Sequence, residues 1–179
     1  MGVPAVQGIS AAEALDARLS GIEKRLDAAL EQMLVSSQQA ARSFVQFAAS
    51  ACTDITGFGL CGHLLEMAEG SGKQAVIHLD SLPLLRGVEP FIQKRYFTRA
   101  SKTNREYVTP HLQLVSNPDP KRLEVFFDAQ TSGGLLISVA ADRASELIAQ
   151  LKSRKALAAV EIGEIREWKA GQPHLIVKP

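Results

Sequence analysis

Asp54 stands just ahead of three glycines in the run Thr53-Asp54-Ile55-Thr56-Gly57-Phe58-Gly59-Leu60-Cys61-Gly62-His63. Two chemistries use a run of this kind. In one, G-x-G-x-x-G follows a buried strand and opens a helix whose N–H groups receive the pyrophosphate of a dinucleotide, with Asp80 in the ribose-binding position. Three features oppose it. The small-residue link Ala48-Ala49-Ser50-Ala51-Cys52 leaves little room for an apolar first strand, Asp54 would repel the pyrophosphate, and no second mononucleotide half follows. In the other, a hard divalent cation lies between carboxylate and phosphate. Magnesium takes oxygen ligands, often one or two carboxylates plus substrate phosphates. Asp54 would supply the carboxylate, while Gly57 and Gly59 let the backbone turn tightly beside the anion. The competing structural reading is that Asp54 or Thr56 caps a helix beginning near Gly59.

The other chemistry-bearing side chains read more plainly. Cys52 and Cys61 are too few for a disulfide framework and too widely spaced for a C-x-x-C pair, so both are expected to be buried as small hydrophobes. His63 and Glu66 share a helix face but do not form H-E-x-x-H, so His63 is expected to make a packing or helix-terminus hydrogen bond. His78, His111 and His174 read as isolated. Lys94, Arg95, Arg99, Lys102 and Arg105 form the basic cluster, expected to be a solvated face.

Elements must position these residues. The first dozen residues have no period and read as a tail. Leu15, Leu19, Ile22, Leu26, Ala29 and Met33 recur at steps of four and three, one face of a helix that Ser20-Gly21 is expected to break or weaken. A second helix runs through Ala40, Phe44 and Phe47, and the expectation is two packed helices, because a coiled coil wants more heptads. Leu60, Leu64, Met67 and Ala68 mark a short helix stopped by Gly70-Ser71-Gly72. Residues 74–80 read as a strand and 81–97 as a loop with a short helix. The stretch from Thr98 to Pro120 reads as irregular because of its prolines. Apolar runs at 124–129 and 135–140 flank Gln130-Thr131-Ser132-Gly133-Gly134, residues 142–152 form an amphipathic helix, and 158–167 with 174–177 suggest a closing hairpin. The fold class is α+β with a mixed sheet, organised as a tail and helical lead-in over 1–34 and a domain over 35–179.

Composition bounds the function classes. With 179 residues, 46% hydrophobic and 22% charged, the chain can bury a core unaided. A formal charge of +1, from 20 basic and 19 acidic side chains, argues against a broad nucleic-acid or anionic-membrane footprint. No apolar run approaches the ~20 residues of a membrane span, and no signal pattern opens the chain. A reducing, cytoplasmic compartment is expected.

The run Thr53 to Met67 resembles the signature of selenophosphate synthetase, also called selenide, water dikinase. Asp128-Ala129-Gln130-Thr131-Ser132-Gly133-Gly134-Leu135-Leu136 is similar to that family's D-P-Q-T-S-G-G-L-L, with Ala129 in place of proline. Between them Ala100 to Asn104 resembles, less closely, the segment G-T-x-x-N, with Arg99 where the preceding glycine belongs. The resemblance covers Ala40 to the C-terminus. It implies an α+β domain like the C-terminal domain of the aminoimidazole ribonucleotide synthetase superfamily. It also implies a parent enzyme that uses ATP, selenide and water to make selenophosphate, AMP and orthophosphate with magnesium, for selenocysteine and selenium-modified tRNA synthesis.

The resemblance further implies an N-terminal domain that dimerises and carries the catalytic cysteine or selenocysteine, a nearby lysine and further magnesium-binding aspartates. None of these has a counterpart among the 179 residues. The chain alone is therefore expected to be inactive, with no catalytic residue of its own. Asp54 matches the family's C-domain magnesium ligand. Thr53, Thr56 and Gly57 are candidates for backbone or supporting contacts to the nucleotide and its metal, as are Ser132 and Gly133, for which a strand-entry turn is the alternative. Asn104 is a weaker candidate, and Ser37 stands where the family often has asparagine. Expected partners are ATP and selenide in the parent enzyme, the N-terminal domain and a second protomer, with no membrane and no direct nucleic-acid contact. The reading from a different class is a non-catalytic binding or regulatory module that partners a full-length synthetase. The reading frame upstream of Met1 separates the two.

Overall fold

A computed structural model of the chain describes residues 11–35, 37–85 and 87–179; most of the expected N-terminal tail lies outside them. The chain divides into two compact units, Met1–Leu34 and Val35–Pro179.

The first unit contributes one helix, α1 (Ala11–Leu34). The expected break at Ser20-Gly21 does not occur. One glycine costs about 1 kcal/mol in a helix interior, and the long-side-chain helix formers on either side carry the helix through it.

The second unit begins with α2 (Gln38–Gln46) and β1 (Ala51–Asp54), followed by α3 (Gly59–Gly70) and β2 (Lys73–His78). Next come α4 (Val88–Gln93), α5 (Arg99–Val108), β3 (Leu112–Leu114) and α6 (Pro120–Phe127). The chain closes with β4 (Leu135–Ser138), α7 (Ala141–Ser153), β5 (Gly163–Glu167) and β6 (Leu175–Lys178). Helices and strands mix as an α+β fold should.

Two helices differ from the sequence reading, and both start on a side-chain cap. Thr98 is extended and its Oγ1 accepts from the N–H of Ser101 at 3.2 Å, so α5 forms where prolines suggested irregular chain. Asp119 accepts from the N–H of Lys121 at 2.9 Å with Pro120 in the first turn, so the apolar run at 124–127, given no element from the sequence, closes α6.

The strands form two sheets. β1 pairs antiparallel with β4, and the larger mixed sheet has the order β3-β6-β2-β5. The expected closing hairpin is corrected here. β5 and β6 do not pair with each other; β2 lies between them, antiparallel to β5 and parallel to β6. Its run Gln74 to Ile77 is buried throughout, as a strand covered on both faces must be. Gly163 makes this fit possible, since a Cβ there would collide with the carbonyl oxygen of Val76.

The core lies between this sheet and the helices. Leu60, Leu64, Leu65 and Ala68 of α3 pack with Ala75 and Ile77, with Leu175 and Val177, and with Val108, Phe126 and Phe127. The phenylalanine pair meets edge to face at 5.4 Å between ring centroids. α3 is therefore fixed along its whole length, and with it the loop that precedes it.

Candidate functional site

The two glycine-bearing segments, far apart in sequence, run side by side. Thr53 and Asp54 face Leu136 and Leu135 across the β1–β4 ladder. The pairing continues past the strand ends. Gly133 N–H donates to Ile55 O and Ile55 N–H to Gly134 O, both at 2.9 Å, and Gln130 N–H donates to Thr56 O at 3.0 Å. Ser132-Gly133-Gly134 is thus the turn that leads into β4. Gly133 has to be small, because a Cβ there would stand 2.8 Å from Cβ of Ile55 and collide with Oε1 of Gln130.

α5 and α6 lock this arrangement from the other side. Asn104 is buried, and its side-chain amide donates to Gly57 O at 3.0 Å and to Phe127 O at 3.1 Å. Ser101 donates its hydroxyl to Oδ1 of Asp128 at 3.0 Å. Burial raises the Asp128 carboxyl above its ordinary range, opposed by the Ser101 and Ala129 hydrogen bonds. Gly59, at φ +65°, brings its backbone against the Asp128 carbonyl, where a Cβ would lie 2.6 Å from the oxygen.

The competing reading, a side-chain cap of α3 by Asp54 or Thr56, is not what the structure shows. Phe58 occupies the cap position and makes no side-chain cap bond. Thr56 Oγ1 instead bonds Nε2 of His63 at 3.0 Å, and His63 Nδ1 lies 3.6 Å from Glu66. His63 is a packed, hydrogen-bonded residue. The carboxylate of Asp54 is exposed at the end of β1, with no hydrogen bond or ion pair among the described residues. Thr53 is half-buried, and its hydroxyl donates to the backbone oxygen of Asp54 at 3.2 Å.

A strand precedes the glycines after all, yet the dinucleotide reading fails on topology. β1 and β2 lie in different sheets, so β1, α3 and β2 do not form a parallel βαβ unit. Among the described residues no three His, Cys, Asp or Glu side chains converge as a metal cage. Asp54 offers a single anionic oxygen donor group, which suits magnesium shared with water and phosphate and does not suit an all-protein site.

The thiols are poor nucleophiles. Cys61 is fully buried and pushed up to about 12 by desolvation. Cys52, expected to be buried, is only partly so, because β1 belongs to the small sheet; its thiol is also raised, first by burial and then by the Asp54 charge. Two of the three histidines read as isolated have partners: His111 Nδ1 meets Glu69 at 2.8 Å, and His174 stacks on Trp168 at 4.6 Å and bonds Lys73 O at 2.8 Å. Within the basic cluster, Arg105 pairs with Glu124 and lies over the Phe127 ring at 4.2 Å, while Lys102 reaches Glu106 at 3.8 Å. Among the described residues no helix is long and apolar enough to cross a membrane.

Sequence reasoning undervalued Asn104 and did not single out Ser101. The available signal is their spacing, since Ser101, Asn104 and Val108 share the buried face of α5. A polar pair on such a face must find partners inside the protein. The rings of Phe58 and Tyr107 are exposed, with centroids 6.5 Å apart.

A family model described as AIR synthase related protein, C-terminal domain, matches residues 1–175. The chain is 40% identical over 140 residues to a selenide, water dikinase of Geobacter metallireducens, covering 78% of this chain and 40% of the relative. It is 37% identical over 139 residues to one from Clostridioides difficile, with the same coverage, and 39% identical over 136 residues to one from Carboxydothermus hydrogenoformans, covering 76% and 39%. The chain spans about 40% of the length of these curated relatives.

Proposed function

The chain belongs to the family of AIR synthase related C-terminal domains, and from that premise we propose that it is the C-terminal domain of a selenophosphate synthetase. The proposed parent converts ATP, selenide and water into selenophosphate, AMP and orthophosphate. The observation that carries the reading is the exposed Asp54 carboxylate, fixed by two interlocked segments in a chain similar to selenide, water dikinases.

Asp54 would hold magnesium together with water and the phosphates of ATP; the ion supplies charge neutralisation during phosphoryl transfer. Ile55, Thr56 and Gly57 present a backbone whose position is set by Gly133, Gly134, Gln130 and Asn104. A site that acts by positioning needs such a frame, because catalytic charge is effective only where it is held still. Thr53, Ser132 and Gly133 line the same edge as candidate contacts to the nucleotide. An N-terminal domain would supply the nucleophile, the lysine and the remaining aspartates, and the parent would be a homodimer.

The chain by itself is proposed to be inactive, and burial disfavours the thiolate form of both of its cysteines. Phosphorus NMR of the purified chain with ATP, magnesium and selenide should show no selenophosphate. A chimera in which residues 35–179 replace the corresponding part of the Geobacter metallireducens enzyme should make it. If the well-folded chimera is inactive, while the chain added separately alters the turnover of the intact enzyme, the non-catalytic partner reading replaces this one.

A further inference from the structure

Helix α1 carries an apolar stripe along one face. Leu15, Leu19, Ile22, Leu26 and Met33 are between 48% and 57% exposed. Their spacing alternates four and three, the step of a heptad seam. Leu19, Leu26 and Met33 fall at a, while Leu15, Ile22 and Ala29 fall at d. Ser20 and Gly21 then occupy b and c, away from the seam. That placement explains why the unbroken helix keeps one continuous apolar face through them.

Charge selects the occupant of this face. Arg18 falls at g, and Asp16 and Glu23 fall at e. In a parallel pairing a g side chain faces the e side chain five positions on in the other helix, so Arg18 of each copy meets Glu23 of the other. In the antiparallel pairing that aligns the seam, e faces e and g faces g, which sets Glu23 against Glu23 and Arg25 against Arg25 and leaves Arg18 without an acidic partner across the seam. The seam is shorter than a tight coiled coil wants, so the association is weak and concentration-dependent: we propose that residues 15–33 pair in parallel with the same segment of a second copy of this chain. The pairing is separate from the proposed catalytic role and from any dimer made by an N-terminal domain. Leucine at a above isoleucine at d also accommodates more than two strands, so mass reads the number of copies.

Sedimentation equilibrium of the full chain over a micromolar to sub-millimolar series tests this. The expected result is reversible self-association that Leu26→Asp weakens by about tenfold or more, since it would bury a charge in the seam. Arg18→Glu should also weaken it, and adding Glu23→Arg should restore it. With Cys52→Ser as background, Ile22→Cys should form a disulfide-linked dimer on mild oxidation, because parallel d positions face each other. A chain that stays monomeric throughout, as it would if α1 were covered by its own domain, overturns the proposal. So does association indifferent to Leu26→Asp, or a charge reversal that the second reversal fails to rescue.

Discussion

Asn104 donates its side-chain amide to the carbonyl oxygen of Gly57 at 3.0 Å, tying α5 to the loop that leads from β1 into α3. The same amide reaches Phe127 O at the end of α6, so one buried side chain fixes the approach of both glycine-bearing segments. Neither carbonyl is paired by the helix that it adjoins, and an amide with two N–H donors is the smallest group that satisfies both.

Replacing Asn104 by alanine leaves those two acceptors without their partner. Asn104→Ala should lower unfolding stability by about 2–4 kcal/mol. The midpoint of urea denaturation reads this directly. A shift indistinguishable from that of an exposed substitution such as Lys102→Ala would show that the clamp is not structural.

Gly59 and Gly72 separate backbone strain from steric contact. Both have φ above +60°, but a Cβ on Gly59 meets Asp128 O at 2.6 Å, whereas one on Gly72 meets nothing within 4 Å. Gly72→Ala should cost about 1–2 kcal/mol from the left-handed conformation alone. Gly59→Ala should cost clearly more, because the Asp128 backbone must also move. Equal losses in a denaturation comparison would contradict the close approach.

Much of this frame is legible in the sequence, and the parts that are not share a cause. The helix stop at Gly70-Ser71-Gly72, the buried strand at Gln74 to Ile77 and the amphipathic helix at 141–153 declare themselves through period and breakers. The start of α5 depends on Thr98 folding its hydroxyl back onto Ser101, and a window weighted by Pro110, Pro118 and Pro120 obscures that cap. The order β3-β6-β2-β5 escapes any local reading, since nothing in residues 158–177 records that β2 will slide between them. At the site, the motifs mark Asp54 and the glycines, but the pairing of Ile55 with Gly133 and Gly134 is a long-range register that only the fold displays.

The Asp128 carboxyl gives a pH signature. Burial raises it in the folded state, so the folded chain holds this proton at pH values where the unfolded chain has released it. Its contribution to stability is therefore present at low pH and is lost as pH rises from the unfolded value through the raised folded value. Melting temperatures across that acidic range should show this component in the native chain and not in Asp128→Asn. A difference between the two that is constant with pH would remove Asp128 as its source.

The thiols should differ in reactivity. Cys61 is buried and pushed up to about 12, so iodoacetamide near neutral pH should modify it only after unfolding. Cys52, partly exposed on β1, should react slowly in the native chain. Mass spectrometry of the peptides after timed labelling assigns each site. Rapid native labelling of Cys61 would contradict the packing of α3.

The central claim rests on one carboxylate, and Asp54→Asn in the chimera tests it most directly. The substitution keeps the shape of an exposed side chain, so the melting temperature should stay within a degree or so of the parent. Selenophosphate formation, followed by phosphorus NMR across a magnesium series, should fall by about a hundredfold or more and recover partly at high magnesium. Unchanged magnesium-dependent turnover in the Asp54→Asn chimera would show that Asp54 does not hold the metal.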